Sequence, residues 1–266
     1  MLSKPKKEFE MKILKFMSFC LACVMLGGIT VPCFGAECDA YNWYCRNNSD
    51  HTQPILGGDI AFVEKYGAYY VNRKAKNEKV IYLTFDAGYE NGNIEKILNV
   101  MKENGVTGAF FILDNLLVRN ADLVKRMADE GHLVCNHTKK HPDMSKITDR
   151  NCFNEQLNSL AQHYEEVIGK PIDKYYRPPE GRFSQRNLMY AKDLGYKTVF
   201  WSFAYADWDN NRQMSEDKAL EKILSHVHNG EIMLLHPTSS TNAAIMDRLI
   251  KTLKSQGYRF GSLDEL

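Results

Sequence analysis

Charge of one sign is what this 266-residue sequence lacks: 34 Lys and Arg stand against 33 Asp and Glu, a net charge of +1. No strong basic field is left to draw in a nucleic-acid backbone, so nucleic acid is not an expected partner. No internal repeat and no low-complexity tract occurs, which argues against a solenoid or a linker chain. Cysteine is sparse, with seven in all. Cys20, Cys23 and Cys33 fall in the first 36 residues, and the other four, Cys38, Cys45, Cys135 and Cys152, have no paired CxxC spacing. A thiolate zinc site is therefore not expected. Cys38 and Cys45 are close enough in sequence to bridge, whereas Cys135 falls in a predicted core strand and reads as a buried thiol. The remainder, 44% hydrophobic and 25% charged residues, is the balance of an ordinary globular protein.

The long apolar run lies at the N-terminus. Lys4, Lys6, Lys7, Lys12 and Lys15 precede an almost uncharged stretch from Phe16 to Ala36, the layout of a secretory signal peptide. Met11 begins a compact basic start of its own. The stretch is also long enough for an uncleaved membrane anchor: Ala36 suits a cleavage site, while Phe34 is bulky two places earlier. Gly27, Gly28 and Pro32 argue against a buried helix of a domain. On either reading the body of the protein is expected outside the cytoplasmic membrane, touching the membrane only through this segment.

Three regions follow: 1–36 as signal peptide or anchor, 37–75 as an irregular aromatic extension packing on the main domain, and 76–266 as that main domain. From Lys79 the pattern is regular. Val80–Phe85 is a short apolar run rich in β-branched residues, and so a buried strand. Ile94, Ile97, Leu98 and Met101 recur at helical spacing, and Gly105 ends that helix. Further strands are predicted at 108–112, 132–136, 175–177, 197–202, 231–236 and 258–260. Helices are predicted near 121–128, 152–168, 186–194, 218–227 and 246–253. About seven strand–helix alternations imply parallel strands with helices outside, hence an α/β fold. With fewer than eight units it reads as a distorted (β/α) barrel. An open doubly wound sheet is the alternative.

Polar residues sit at the carboxyl ends of those strands: Asp86, His137, Arg177, Asp207 and His236. In a parallel barrel these ends share one face, where active sites form. His137 and His141 are four apart, and on a helical turn both imidazoles would share one face suited to a metal. Asp86 reads as a general base or as a helix cap, a job open to Asn91 or Asn93 instead. Arg177 precedes Pro178 and Pro179, which hold it at a strand end beside a carboxylate. His236 reads as a general acid if a partner such as Asp207 holds its proton. Trp208 reads as core packing, as a sugar-stacking platform, or as a wall around that pair.

The ordered set Thr84-Phe85-Asp86, His137-xxx-His141, Arg177-Pro178-Pro179-x-Gly181, Asp207-Trp208 and Leu234-x-His236 resembles the polysaccharide deacetylases of carbohydrate esterase family four, which carry the NodB-homology domain. The resemblance covers about residues 76–266. Tyr-Leu-Thr-Phe-Asp-x-Gly-Tyr-Glu-Asn-Gly, Val-Phe-Trp-Ser and the C-terminal Gly-Tyr-Arg-Phe-Gly-Ser-Leu-Asp-Glu-Leu narrow it to the muramic-acid de-N-acetylases of endospore-forming bacteria. It implies a metal-dependent deacetylase that acts as a monomer in the cell wall or spore cortex compartment, on N-acetylmuramic acid in peptide-stripped peptidoglycan strands, as a step to the muramic δ-lactam of spore cortex. It further implies zinc or another divalent ion on His137 and His141, Asp86 as base oriented by Arg177, and His236 as acid positioned by Asp207. Substrate contacts would come from Leu234, Trp208, Glu180 and Tyr89, with the Glu180 N–H facing the oxyanion.

Two departures stand out. Ala87 occupies the place where most members carry an aspartate ligand, and Glu180 stands where many have an aromatic residue. Two other functions remain open: a deacetylase of N-acetylglucosamine in peptidoglycan or chitin-like glycan, and a catalytically silent wall-binding protein.

Overall fold

The computed structural model describes residues 39–266. The N-terminal segment 1–36 and its cleavage, and with Cys38 its pairing to Cys45, lie outside the described residues. Two short strands come first, β1 (Tyr41–Asn42) and β2 (Ala68–Tyr69). The alternating part follows: β3 (Val80–Ala87), α1 (Ile94–Glu103), β4 (Ala109–Ile112), α2 (Asp114–Arg119), α3 (Ala121–Asp129), β5 (Leu133–Asn136) and α4 (Arg150–Ile168). It continues with β6 (Asp173–Tyr176), β7 (Arg182–Phe183), α5 (Gln185–Asp193), β8 (Lys197–Val199), α6 (Glu216–Leu224), β9 (Glu231–Leu235), α7 (Ser240–Ser255) and β10 (Arg259–Phe260).

The main sheet runs β10-β3-β4-β5-β6-β8-β2, and β9 pairs with β3. All these pairings are parallel. Past β8 the chain returns to the sheet, where Phe203 makes a parallel bridge to Met233 of β9. The sheet thus curls back on itself as a distorted (β/α) barrel, not an open doubly wound sheet. At the other end of the seam, β2 lies beside β8 and Val71 bridges Glu231 at the start of β9. The N-terminal extension therefore supplies a strand of the barrel as well as a cover for it. Among the described residues no helix is long and apolar enough to cross a membrane.

Alternation along β3 sorts its side chains into layers. Ile81, Leu83, Phe85 and Ala87 join a cluster with Ile94, Ile97, Leu249 and Ile250 of the outer helices. Val80 and Tyr82 join Phe111, Cys135, Tyr175, Val199 and Ile232 in a separate cluster inside the curl. Asp86 inherits the inward parity and Ala87 the helix-facing one. Cys135 is fully buried, and burial pushes its thiol well above the ordinary range. Helix starts follow their caps: Asp149 accepts from Cys152 N at 2.8 Å before α4, and Ser184 forms a capping box before α5.

The extension is fixed by Trp43, which is 5% exposed. Its ring stacks on Phe200 at 4.2 Å, its Nε1 donates to Trp201 O at 3.0 Å, and its backbone N donates to Gly181 O at 2.7 Å. Gly181 has φ +65°, and a Cβ there would lie 2.8 Å from the Trp43 Cβ. Trp43→Ala is expected to cost about 3–5 kcal/mol, read as a lower denaturant midpoint. A loss below about 1 kcal/mol would show that the extension packs without stabilising the barrel.

Candidate active site

The carboxyl ends of β3, β5, β6 and β9 converge on a cleft of about 780 Å³. Asp86, His137, His141, His236, Leu234, Glu180, Tyr89 and Trp208 line it. Arg177 and Asp207 lie beneath it, 0% and 1% exposed.

Arg177 follows β6 and organises the floor. Its Nη1 donates to Asp86 Oδ1 at 2.8 Å, Nη2 donates to Thr84 Oγ1 at 2.9 Å and to Phe200 O at 3.1 Å, and Nε donates to Val199 O at 2.9 Å. The guanidinium also lies 4.1 Å above the Phe111 ring. Thr84 Oγ1 in turn donates a hydrogen bond to Met233 O at 2.7 Å. One side chain thus ties together β3, β6 and the end of β8 with the residue after it. Burial alone would raise the Asp86 carboxyl, but Arg177, His137 and His236 outweigh it and hold Asp86 below its ordinary range, ionised.

His137 follows β5. Its Nδ1 lies 2.9 Å from Arg177 O, an acceptor, so Nδ1 carries the proton and the Nε2 lone pair is left for the cleft, 3.7 Å from Asp86 Oδ2. Burial pushes the ring down to about 4, so the imidazole is neutral. The helical turn predicted for His137–His141 is absent. Thr138 and His141 have φ of 76° and 57°, in the left-handed region. Asn136 Oδ1 accepts from Thr138 N at 2.9 Å, and Thr138 Oγ1 accepts from His141 N at 3.0 Å. Side chains that bond nearby backbone replace the helical ladder here. The two rings still meet, with centroids 5.1 Å apart at 70°.

His236, just past β9, faces Asp207. Asp207 Oδ1 accepts from His236 Nδ1 at 2.7 Å, and Oδ2 accepts from His236 N at 2.8 Å. Burial disfavours the imidazolium, yet the Asp207 hydrogen bond and charge, with Asp86, lift His236 above its ordinary range. Its Nε2 is left toward the cleft.

At the rim, Trp208 is 64% exposed, which excludes core packing for it. Tyr89 is half-exposed, and its hydroxyl accepts from Asn210 Nδ2 at 2.7 Å across the cleft mouth. Glu180 is exposed, sits at φ 55° and pairs with Arg182 Nε at 3.1 Å. Leu234, 3% exposed, forms part of the cleft wall.

Reading the sequence missed Leu113, Ala204, Tyr205 and Thr238 in the lining and assigned Trp201 no role there. It also missed Asn242, which donates to Asp207 Oδ2 at 2.6 Å. No local pattern marks these positions, because they reach the cleft only through the curl of the sheet.

Among the described residues no group of three or more His, Cys, Asp and Glu is arranged to hold a metal. The donors present are the neutral His137, His141 and the Asp86 carboxylate beside them. Ala87 is fully buried and offers no donor. This chemistry fits a divalent cation held by two imidazoles, a sparser set than three protein ligands.

Residues 73–199 match the family model described as polysaccharide deacetylase. The chain is 40% identical over 251 residues to the peptidoglycan-N-acetylmuramic acid deacetylase PdaA of Bacillus subtilis, covering 94% of each. The solved structure of Bacillus subtilis PdaA, described as a family 4 carbohydrate esterase, superposes with a TM-score of 0.82 at 41% identity, covering 86% of this chain and 97% of that one. A family 4 carbohydrate esterase from Bacillus anthracis matches with a TM-score of 0.72 at 36% identity, covering 88% and 98%. With its curled parallel sheet and the cleft at the strand ends, the chain belongs to the polysaccharide deacetylases, the family 4 carbohydrate esterases, and is a hydrolase.

Proposed function

We propose that the protein removes the acetyl group from N-acetylmuramic acid in peptide-stripped peptidoglycan strands, as a step to the muramic δ-lactam of spore cortex. The observation that carries the chemistry is the placing of an ionised Asp86 and a proton-retaining His236 around one cleft beside two imidazoles. The choice of muramic acid is supported by the near full-length similarity to a protein named for that substrate.

In this reading His137 and His141 would hold a divalent cation, zinc, and the chemistry it would supply is that of a Lewis acid toward the acetyl carbonyl and the attacking water. Asp86 takes the proton of that water as its oxygen bonds to the carbonyl carbon. Arg177 keeps Asp86 ionised and aimed. The backbone N–H of Glu180 donates to the developing oxyanion. Leu234 holds the acetyl methyl, and Tyr89 and Trp208 flank the sugar. His236 gives its Nε2 proton to the amide nitrogen as the carbon–nitrogen bond breaks, leaving acetate and a free amine. Export through the N-terminal segment brings the domain to the wall as a monomer.

The test is mass spectrometry of peptide-free glycan strands incubated with the protein and zinc. Loss of one acetyl group from muramic acid is expected. Loss from glucosamine instead would overturn the substrate, and no loss with zinc bound would overturn the enzyme reading.

A dependence on pH follows. The acid must be protonated, and its raised pKa keeps it so to higher pH; activity then falls as pH rises through that value. In Asp207→Asn the largest of the raising influences on His236 is gone and only Asp86 still opposes burial, so the alkaline limb of kcat is expected to move to lower pH. An unmoved limb would show that another group sets it.

A further inference from the structure

The Asp207–His236 pair is held by a side chain from neither motif. Asn242 lies in the first turn of α7 and is fully buried. Its Nδ2 donates to Asp207 Oδ2 at 2.6 Å and to His236 O at 3.1 Å. Its Oδ1 accepts from the Tyr205 hydroxyl, and its backbone N donates to the capping Ser239 Oγ at 3.0 Å. Each of these contacts removes a freedom. The Asp207 carboxylate and the His236 carbonyl only accept, so they fix which end of the amide is nitrogen, and the Tyr205 hydroxyl donates to the oxygen at the other end. One hydrogen meets the carboxylate that aims the imidazole, and the other meets the backbone carbonyl of the residue bearing it. The Ser239 cap anchors the residue itself.

We propose that Asn242 is a positioning residue for proton delivery: one amide group sets the distance and tilt of His236 relative to Asp207. This rests on the reading of His236 as the acid. With Asn242 removed, Asp207 Oδ2 keeps only the His236 N–H, the carboxylate gains freedom to turn, and the imidazole with it. Displacement of a proton donor lowers the rate of bond breaking without weakening the hold on the sugar. A residue acting through another also has nothing left to do once that partner is gone.

The experiment measures kcat and KM on peptide-free glycan strands with zinc for the parent, His236→Ala, Asn242→Ala and the double variant. Asn242→Ala is expected to lower kcat about tenfold with KM within about twofold, and to cost nothing further in the His236→Ala background. A folded Asn242→Ala with parental kcat, or the same tenfold loss on top of His236→Ala, would overturn the inference alone. Parental kcat in His236→Ala would sink the acid reading and the inference with it. Should Asn242→Ala fail to fold, Asn242→Ser takes its place. Its hydroxyl can still bond within the capping turn but is too short to bridge Asp207 and the His236 carbonyl, and the same split in kcat is expected.

Discussion

Asp86→Asn is expected to lower kcat for deacetylation by about 10²–10⁴-fold while the protein stays folded. The substitution keeps shape and one acceptor, so Arg177 Nη1 retains a partner at Oδ1. It removes the only function an amide cannot supply, acceptance of a proton from water. Asp86 suits that function because Arg177 and His137 keep it ionised despite burial, and because its inward parity on β3 aims it at the cleft. Arg177 then loses the charge of its partner but keeps Thr84, Val199 O and Phe200 O, so a stability cost of roughly 1–3 kcal/mol is expected. Rates on peptide-free strands beside a thermal melt would check both parts. A variant within tenfold of the parent rate would remove Asp86 from the role of base.

The fold was legible where runs were long. Val80–Phe85 and Glu231–Leu235 are continuous apolar stretches, and their two-sided burial in a parallel sheet explains why. The ends of those strands then located Asp86 and His236. Of the short elements, β6 and β10 were legible at 175–177 and 258–260, but others were not. Helix α2 is six residues, too few to establish a period, and β2 is two residues within an aromatic stretch. The closing of the barrel seam by Val71 and Phe203 rests on isolated bridges, which carry no sequence pattern. The spacing of His137 and His141 suggested a helix, yet Asn136 and Thr138 bond the local backbone and turn it left-handed. The pairing of the rings survived, because a tight loop also returns a side chain to its neighbour four residues on. Asn242 was invisible because its role needs β9 and the loop after β8 to be side by side.

Arg177→Met is expected to cost about 3–5 kcal/mol and to abolish activity together with the native fold at moderate temperature. Methionine fills much of the same space, but four acceptors lose their donors at once: Asp86 Oδ1, Thr84 Oγ1, Val199 O and Phe200 O. These lie on two parts of the sheet, β3 and the end of β8, and all but Asp86, which lines the cleft, are in the interior, where an unmet acceptor retains no water to replace the bond. Arg177→Lys separates stability from aim. Its ammonium keeps the charge near Asp86 but is a point donor without the planar fork, so it cannot span the carboxylate on one side and the Val199 and Phe200 carbonyls on the other. A folded protein with a smaller loss of stability than Arg177→Met, and with kcat nonetheless reduced about 10²-fold, is expected. Denaturant midpoints and steady-state rates on the two variants decide it. If Arg177→Lys matched the parent rate, charge alone would suffice and the fork geometry would be a device of the fold; if it fell with KM unchanged, the guanidinium acts by holding Asp86 at the angle from which it takes the proton.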